Sequence, residues 1–236
     1  KLKLWNDVAI SQMANASIVA PIMYLGGAAD IDTTKLDIKN KVVAIEASSK
    51  GINLNASLPT WRYSRNVQTK YVLPLIRKGA TAVIIIADDI AEKAWDDAAE
   101  NFKRGSYDID GGANVNVTTT VPILWMHANA KASLQNNTAF INANIEIDKY
   151  SYPSVNIIGK INGTDPKLKE EYVLYSGHQD AHGIRNAHDN DSTYYGADDN
   201  ASVDVAMLAN ARAFMKNPAK RSILFVIHGA EERGLL

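Results

Sequence analysis

Two short apolar runs bracket one amphipathic segment near the C-terminal end, and that order leaves few folds open. Tyr172-Val173-Leu174-Tyr175 and Ser222 to Ile227 read as strands. Between them, Ala201 to about Met215 carries apolar residues at helical spacing, with Asp199-Asn200 as an N-cap signal and Pro218 as the stop. Strand, helix, strand in that sequence predicts a parallel βαβ unit.

The chain upstream has the same character. Ser17 to Leu25 is a β-type run interrupted by Pro21, and Leu36 to Ala47 is a strand centred on Val42-Val43-Ala44-Ile45. Val67, Tyr71, Val72, Leu75 and Ile76 recur at helical spacing, with Pro74 inside the pattern and Gly79 after it. Ala82 to Ala87 and Val121 to Met126 are further apolar strands, and a short helix to about Leu134 follows the second. Phe140 to Ile147 and Val155 to Ile161 complete the strand patterns. Residues 48–60, 91–120 and 183–196 read as polar loop or irregular chain. The fold class expected is α/β, with a mixed, largely parallel sheet.

Composition excludes several functions. Among 236 residues, 25 Lys and Arg face 26 Asp and Glu, a net charge of −1. No nucleic-acid partner is expected of so balanced a chain. The hydrophobic share of 46% suits a packed core and not a disordered chain. No apolar run is long enough to span a membrane. With no cysteine, any metal must be held by imidazole and carboxylate, a donor set that suits zinc.

Three clusters sit at the ends of the elements of the βαβ segment: His178-Gln179-Asp180, Gly196-Ala197-Asp198-Asp199-Asn200 and Glu231-Glu232. In open parallel sheets, sites form beyond the carboxyl ends of the strands, so all three can meet on one edge. His178 can ligate through one ring nitrogen while Asp180, two residues on and on the same face, orients the ring. One of Glu231 and Glu232 could bind metal while the other handles the proton of a water. Both can face one site only if the strand has already turned. Of the other histidines, His127 reads as structural, His182 and His188 as solvated loop residues, and His228 as a candidate site lining.

The ordered set Ser-Gly-His-Gln-Asp, Gly-Ala-Asp-Asp-Asn-Ala-Ser and Gly-Ala-Glu-Glu-Arg-Gly-Leu-Leu resembles the co-catalytic zinc aminopeptidase family, over about residues 154–236. That family includes bacterial leucyl aminopeptidase, aminopeptidase Y and glutamate carboxypeptidase II. Residues 17–130 resemble a protease-associated domain, a small β-rich module. Its carriers are Ala20 to Gly26, Leu36 to Ile45, Lys78-Gly79-Ala80 with the strand that follows, and Val121-Pro122-Ile123. The expected organisation is an unassigned segment 1–16, a protease-associated domain 17–130 and the first part of a zinc peptidase domain, 131–236.

The resemblance implies two zinc ions, with His178 on one, Asp198 bridging both and Glu232 on the second. It implies Glu231 as general base and Asp180 as the partner of His178, with a cis peptide between Asp198 and Asp199. The family places a further Asp and His downstream, so the chain is expected to be truncated, and on its own inactive and weak in metal binding. Val203 stands where the family commonly has Gly, and the loop 184–195 has no assigned role. The expected activity is an exopeptidase, foremost an aminopeptidase acting on peptides, in a secreted or periplasmic setting. Alternatives on the same fold are a glutaminyl cyclase and a glutamate-releasing carboxypeptidase. A receptor-like ectodomain without catalysis is the alternative from another class.

Overall fold

The computed structural model describes residues 1–12, 14–54, 62–105, 107, 121–188 and 190–235. Residues 55–60, 108–120 and Asp189, read above as polar loop or irregular chain, lie outside that set. Two compact units divide the chain, one from Lys1–Ser106 with Val117–Lys149, the other from Tyr107–Asn116 with Tyr150–Leu236. The first runs past the boundary at 130 expected from sequence, because the strand at 140–145 pairs within it.

In the first unit, the strands are β1 (Val8–Gln12), β2 (Ala16–Gly27), β3 (Val42–Glu46), β4 (Ala82–Ile86), β5 (Ile123–Met126) and β6 (Phe140–Ile145). They form one sheet in the order β1-β5-β4-β3-β2-β6. The inner pairs are parallel, and β1 and β6 run antiparallel at the edges. Pro21 does not interrupt β2. It sits where β2 exchanges one partner for the other, with Pro21 opposite Phe140 and Ile22 opposite Val42. A residue without an N–H is tolerated where the ladder changes hands.

Alternation along the strands builds a core on each face. Val43, Ile45, Val83, Ile85, Ile123 and Trp125 point to one side, under Tyr63, Val67, Val72, Leu75, Ala91 and Trp95. Val42, Ala44, Ala82, Ile84, Ile86 and Leu124 point to the other, with Ile18, Ile22, Leu134 and Ile145. Burial on both faces explains why β3 and β4 read as unbroken apolar runs.

The helical segment before Gly79 comprises α1 (Arg62–Val67), a π-helical turn over Gln68–Val72, and α2 (Leu73–Arg77) with Pro74 in its first turn. Pro74 has no N–H to give the preceding turn, and the ladder widens just ahead of it. Two helices appear where the sequence suggested irregular chain: α3 (Asp89–Lys93) and α4 (Trp95–Lys103). The α4 residues Trp95, Ala98, Ala99 and Phe102 form a narrow apolar stripe at helical spacing. The unit also holds α5 (Lys131–Leu134).

The Tyr24 hydroxyl donates to Glu46, which also receives Lys131 Nζ at 2.9 Å. Burial, then the Glu46 bond and charge, push the Tyr24 phenol up to about 12. The folded state therefore keeps a proton that the unfolded chain loses near pH 10. That stabilisation is complete below pH 10 and fades as pH rises towards 12. Between pH 10 and 12, Tm of the native protein is expected to fall more steeply than Tm of Tyr24→Phe; parallel melting curves would refute this.

The second unit contains β7 (Ile157–Ile161), β8 (Tyr172–His178), β9 (Gly183–His188), β10 (Asp191–Tyr194), α6 (Ser202–Lys216) and β11 (Ser222–His228). The expected βαβ unit is present: β8 and β11 pair in parallel, joined through α6, while β7 flanks β11 in antiparallel. Met207 from α6 packs on Ile223 and Phe225, with Tyr175 stacked on Phe225 at 5.4 Å between ring centroids. Residues 183–196 are not simple loop, because β9 and β10 form a hairpin turning at Asn190, whose φ of 67° suits an Asn. Among the described residues no helix is long and apolar enough to cross a membrane.

Candidate active site

The parallel pairing of β8 and β11 aligns their carboxyl ends residue by residue, with Gly177 opposite Ile227 and His178 opposite His228. The alignment continues one step further, where Gln179 N–H donates to the His228 carbonyl at 2.8 Å. Beyond that point β8 turns at Asp180, and β11 turns through Gly229 and Ala230 into a single 3₁₀ turn, Glu231–Arg233. A Cβ on Gly229 would collide with the Val155 carbonyl, so the turn needs a glycine there. Because β11 has ended, Glu231 and Glu232 are no longer held on opposite faces.

His178 is buried at the strand end. Its Nδ1 lies 3.0 Å from the Asp180 carbonyl oxygen and 3.5 Å from Asp180 Oδ1. Asp180 thus orients the ring through its main chain more than through its carboxylate. The carboxylate instead grips the second cluster: Oδ1 accepts from Glu231 N–H at 3.1 Å and Oδ2 from Glu232 N–H at 3.0 Å.

The other ring nitrogen, His178 Nε2, faces Asp199 Oδ1 at 3.0 Å and Glu231 Oε2 at 3.7 Å. The carboxylate beside this nitrogen is that of Asp199, one residue after the expected Asp198. The Asp198 carbonyl accepts from Ser202 Oγ, and its carboxylate makes no hydrogen bond or ion pair among the described residues. The cis peptide also lies one residue later than expected, between Asp199 and Asn200. Asp199 (φ −112°, ψ 90°) and Asn200 (φ −139°, ψ 29°) depart from helical geometry, the N-cap position of α6 falls on Ala201 without a side-chain cap bond, and the Asp199 carboxylate is directed to His178.

The electrostatics follow from four carboxylates gathered around one imidazole. Burial alone would lower the His178 pKa, but the Asp180 carbonyl and the charges of Glu231, Asp180 and Asp199 outweigh it and raise it. Burial raises the Glu232 carboxyl, and the like charges of Asp199 and Glu231 add to that shift. Glu232 also lies 2.8 Å, Oε2 to Nε2, from His182, a partner absent from the sequence reading. His127 belongs to the first unit, where it spans Glu92 Oε2 and the Asn6 carbonyl and stacks on Trp95.

Among the described residues, no group of three His, Asp or Glu is yet gathered into a metal-holding arrangement. The donor set nonetheless fits a divalent cation of borderline softness. One ring nitrogen faces carboxylate oxygens, no thiol is present, and crowded negative charge burdens Glu232. His178, Asp199 and Glu232 would hold such an ion, with Glu231 beside it.

Asp180 follows β8 and accepts from the main chain of both Glu231 and Glu232 after β11, and its role is testable. In Asp180→Asn only one oxygen remains to accept, so a charge-assisted bond worth about 1.5–3 kcal/mol is lost. Amide exchange at Glu231 or Glu232 is expected to speed up roughly 10- to 100-fold by hydrogen–deuterium exchange. Unchanged exchange at both amides would show that the turn holds without Asp180.

Residues 156–236 match the family model described as Peptidase family M28. Among solved structures, the chain is similar to an aminopeptidase from Aneurinibacillus sp. strain AM-1. The identity is 18% and the TM-score 0.43, over 97% of this chain and 50% of that one. It is also similar to BSAP, a zinc aminopeptidase from Bacillus subtilis. Here the identity is 19% and the TM-score 0.40, over 96% of this chain and 46% of that one. The chain therefore spans about half the length of these structures. Among curated proteins, none matches.

Proposed function

We propose, from the Peptidase family M28 character of residues 156–236, that the full-length protein is a zinc-dependent exopeptidase, foremost an aminopeptidase acting on peptide N-termini. The observation that carries this reading is the meeting of His178, Asp199 and Glu231 at one sheet edge, with Asp199 Oδ1 3.0 Å from His178 Nε2. Asp199, in place of Asp198, would hold zinc there together with His178 and Glu232.

Each side chain then has one task. Zinc held there would supply Lewis acidity and lower the pKa of a water. The Glu231 carboxylate would take a proton from that water as its oxygen bonds to the peptide carbonyl carbon, and would give the proton to the amine nitrogen as the C–N bond breaks. Glu231 is suited to this because its side chain is 35% exposed, open to a substrate, whereas Glu232 at 11% is covered. Asp180 fixes the main chain of both glutamates, so base and ligand keep a constant separation.

The test uses the full-length protein. Chelation is expected to abolish hydrolysis of leucine p-nitroanilide, and zinc to restore it, with two zinc ions per chain by elemental analysis. A zinc-loaded protein with no hydrolysis of aminoacyl anilides or peptides would overturn the reading.

A further inference from the structure

We propose that His182 is a positioning residue that orients the Glu232 carboxylate, an inference that rests on the reading of Glu232 as a metal ligand. His182 Nε2 lies 2.8 Å from Glu232 Oε2. With Oε2 held, the remaining carboxylate oxygen is presented in one direction. Glu232 needs such a partner because it is the most covered of the site's glutamates and carries the like charge of Asp199, Glu231 and Asp180 around it. A covered carboxylate without a donor is costly. Its main chain is held by Asp180 Oδ2 and its side chain by His182, so both ends of the residue are fixed.

The imidazole is in turn held by the β9–β10 hairpin. His182 immediately precedes β9, and its ring meets Tyr194 edge-on, with centroids 5.9 Å apart and planes at 82°. Tyr194 lies opposite Gly183 in the hairpin register, and the Arg185 guanidinium carbon sits 5.4 Å from its ring centroid. The hairpin thereby acquires a function: it is the arm that carries His182 to Glu232. Carboxylates and imidazoles that bind metals are commonly steered by such outer hydrogen bonds, whose loss weakens metal affinity about 10- to 100-fold.

The experiment measures zinc affinity and stoichiometry in the full-length protein, by competition with a fluorescent chelator, alongside kcat and KM. His182→Ala is expected to weaken zinc binding about 10- to 100-fold without losing the site, and His182→Gln, whose amide can still donate, to recover most of it. Tyr194→Leu should weaken binding in the same direction by less. Glu232→Ala should lose one zinc, and adding His182→Ala to it should change nothing further. Unchanged affinity in His182→Ala, with zinc lost in Glu232→Ala, overturns the role of His182 and leaves the ligand reading intact. Unchanged affinity in Glu232→Ala overturns the ligand reading itself. Loss of a zinc in both His182 variants would make His182 a ligand and overturn the positioning role. If His182→Ala does not fold, His182→Gln and Tyr194→Leu decide: affinity at or near the native value in His182→Gln with a drop in Tyr194→Leu supports the role, and any other pattern overturns it.

Discussion

Glu231→Gln in the full-length protein is expected to lower kcat at least about 100-fold while leaving zinc binding within a few-fold of native. The substitution keeps size and hydrogen bonding but removes the only function asked of that carboxylate, accepting a proton. Zinc stoichiometry and kcat must be measured on the same preparation, since loss of metal would mimic loss of the base. Turnover near the native value would show that the proton goes elsewhere.

Trp125→Ala is expected to cost the first unit about 3–5 kcal/mol, the range for removing a buried large aromatic. Trp125 sits at 2% exposure on β5, within the core face shared with Ile85, Val83, α1 and α4. For a protein of this size the loss corresponds to a Tm lower by roughly 6–20 °C. Trp125→Phe should cost much less. The Trp125 Nε1 is buried without a hydrogen-bond partner among the described residues, so removing it forfeits no bond to them. A melt in which the two variants fall equally would mean that the indole nitrogen, and not the ring volume, matters there.

The parts legible in the sequence are those where one physical signal dominates. β3 and β4 are buried on both faces and read as unbroken apolar runs, and the β8–α6–β11 unit is marked by its change of period. Helix α4 is harder to read because two of its four apolar stripe positions are alanines, set among Asp96, Asp97, Glu100 and Lys103. The β9–β10 hairpin is polar and short, and its pairing depends on a turn conformation at Asn190, not on any apolar pattern. In the site, the clusters around His178, Asp199 and Glu231 were identifiable because each follows or precedes a regular element. Which of Asp198 and Asp199 faces His178 is not legible, since it depends on the backbone dihedrals of adjacent carboxylates. Nor is His182, whose approach to Glu232 depends on where an irregular turn leads.

The two bonds from the Asp180 carboxylate close loops of 51 and 52 residues. The entropy of closing a loop must be met before such contacts form, and it is met here by the docking of α6 and the pairing of β11 with β8. Glu231 and Glu232 therefore reach their places only after the whole βαβ unit has come together. Since β11 is the central strand of this sheet, with β7 on one side and β8 on the other, its detachment would dismantle the sheet and the placing of both glutamates together.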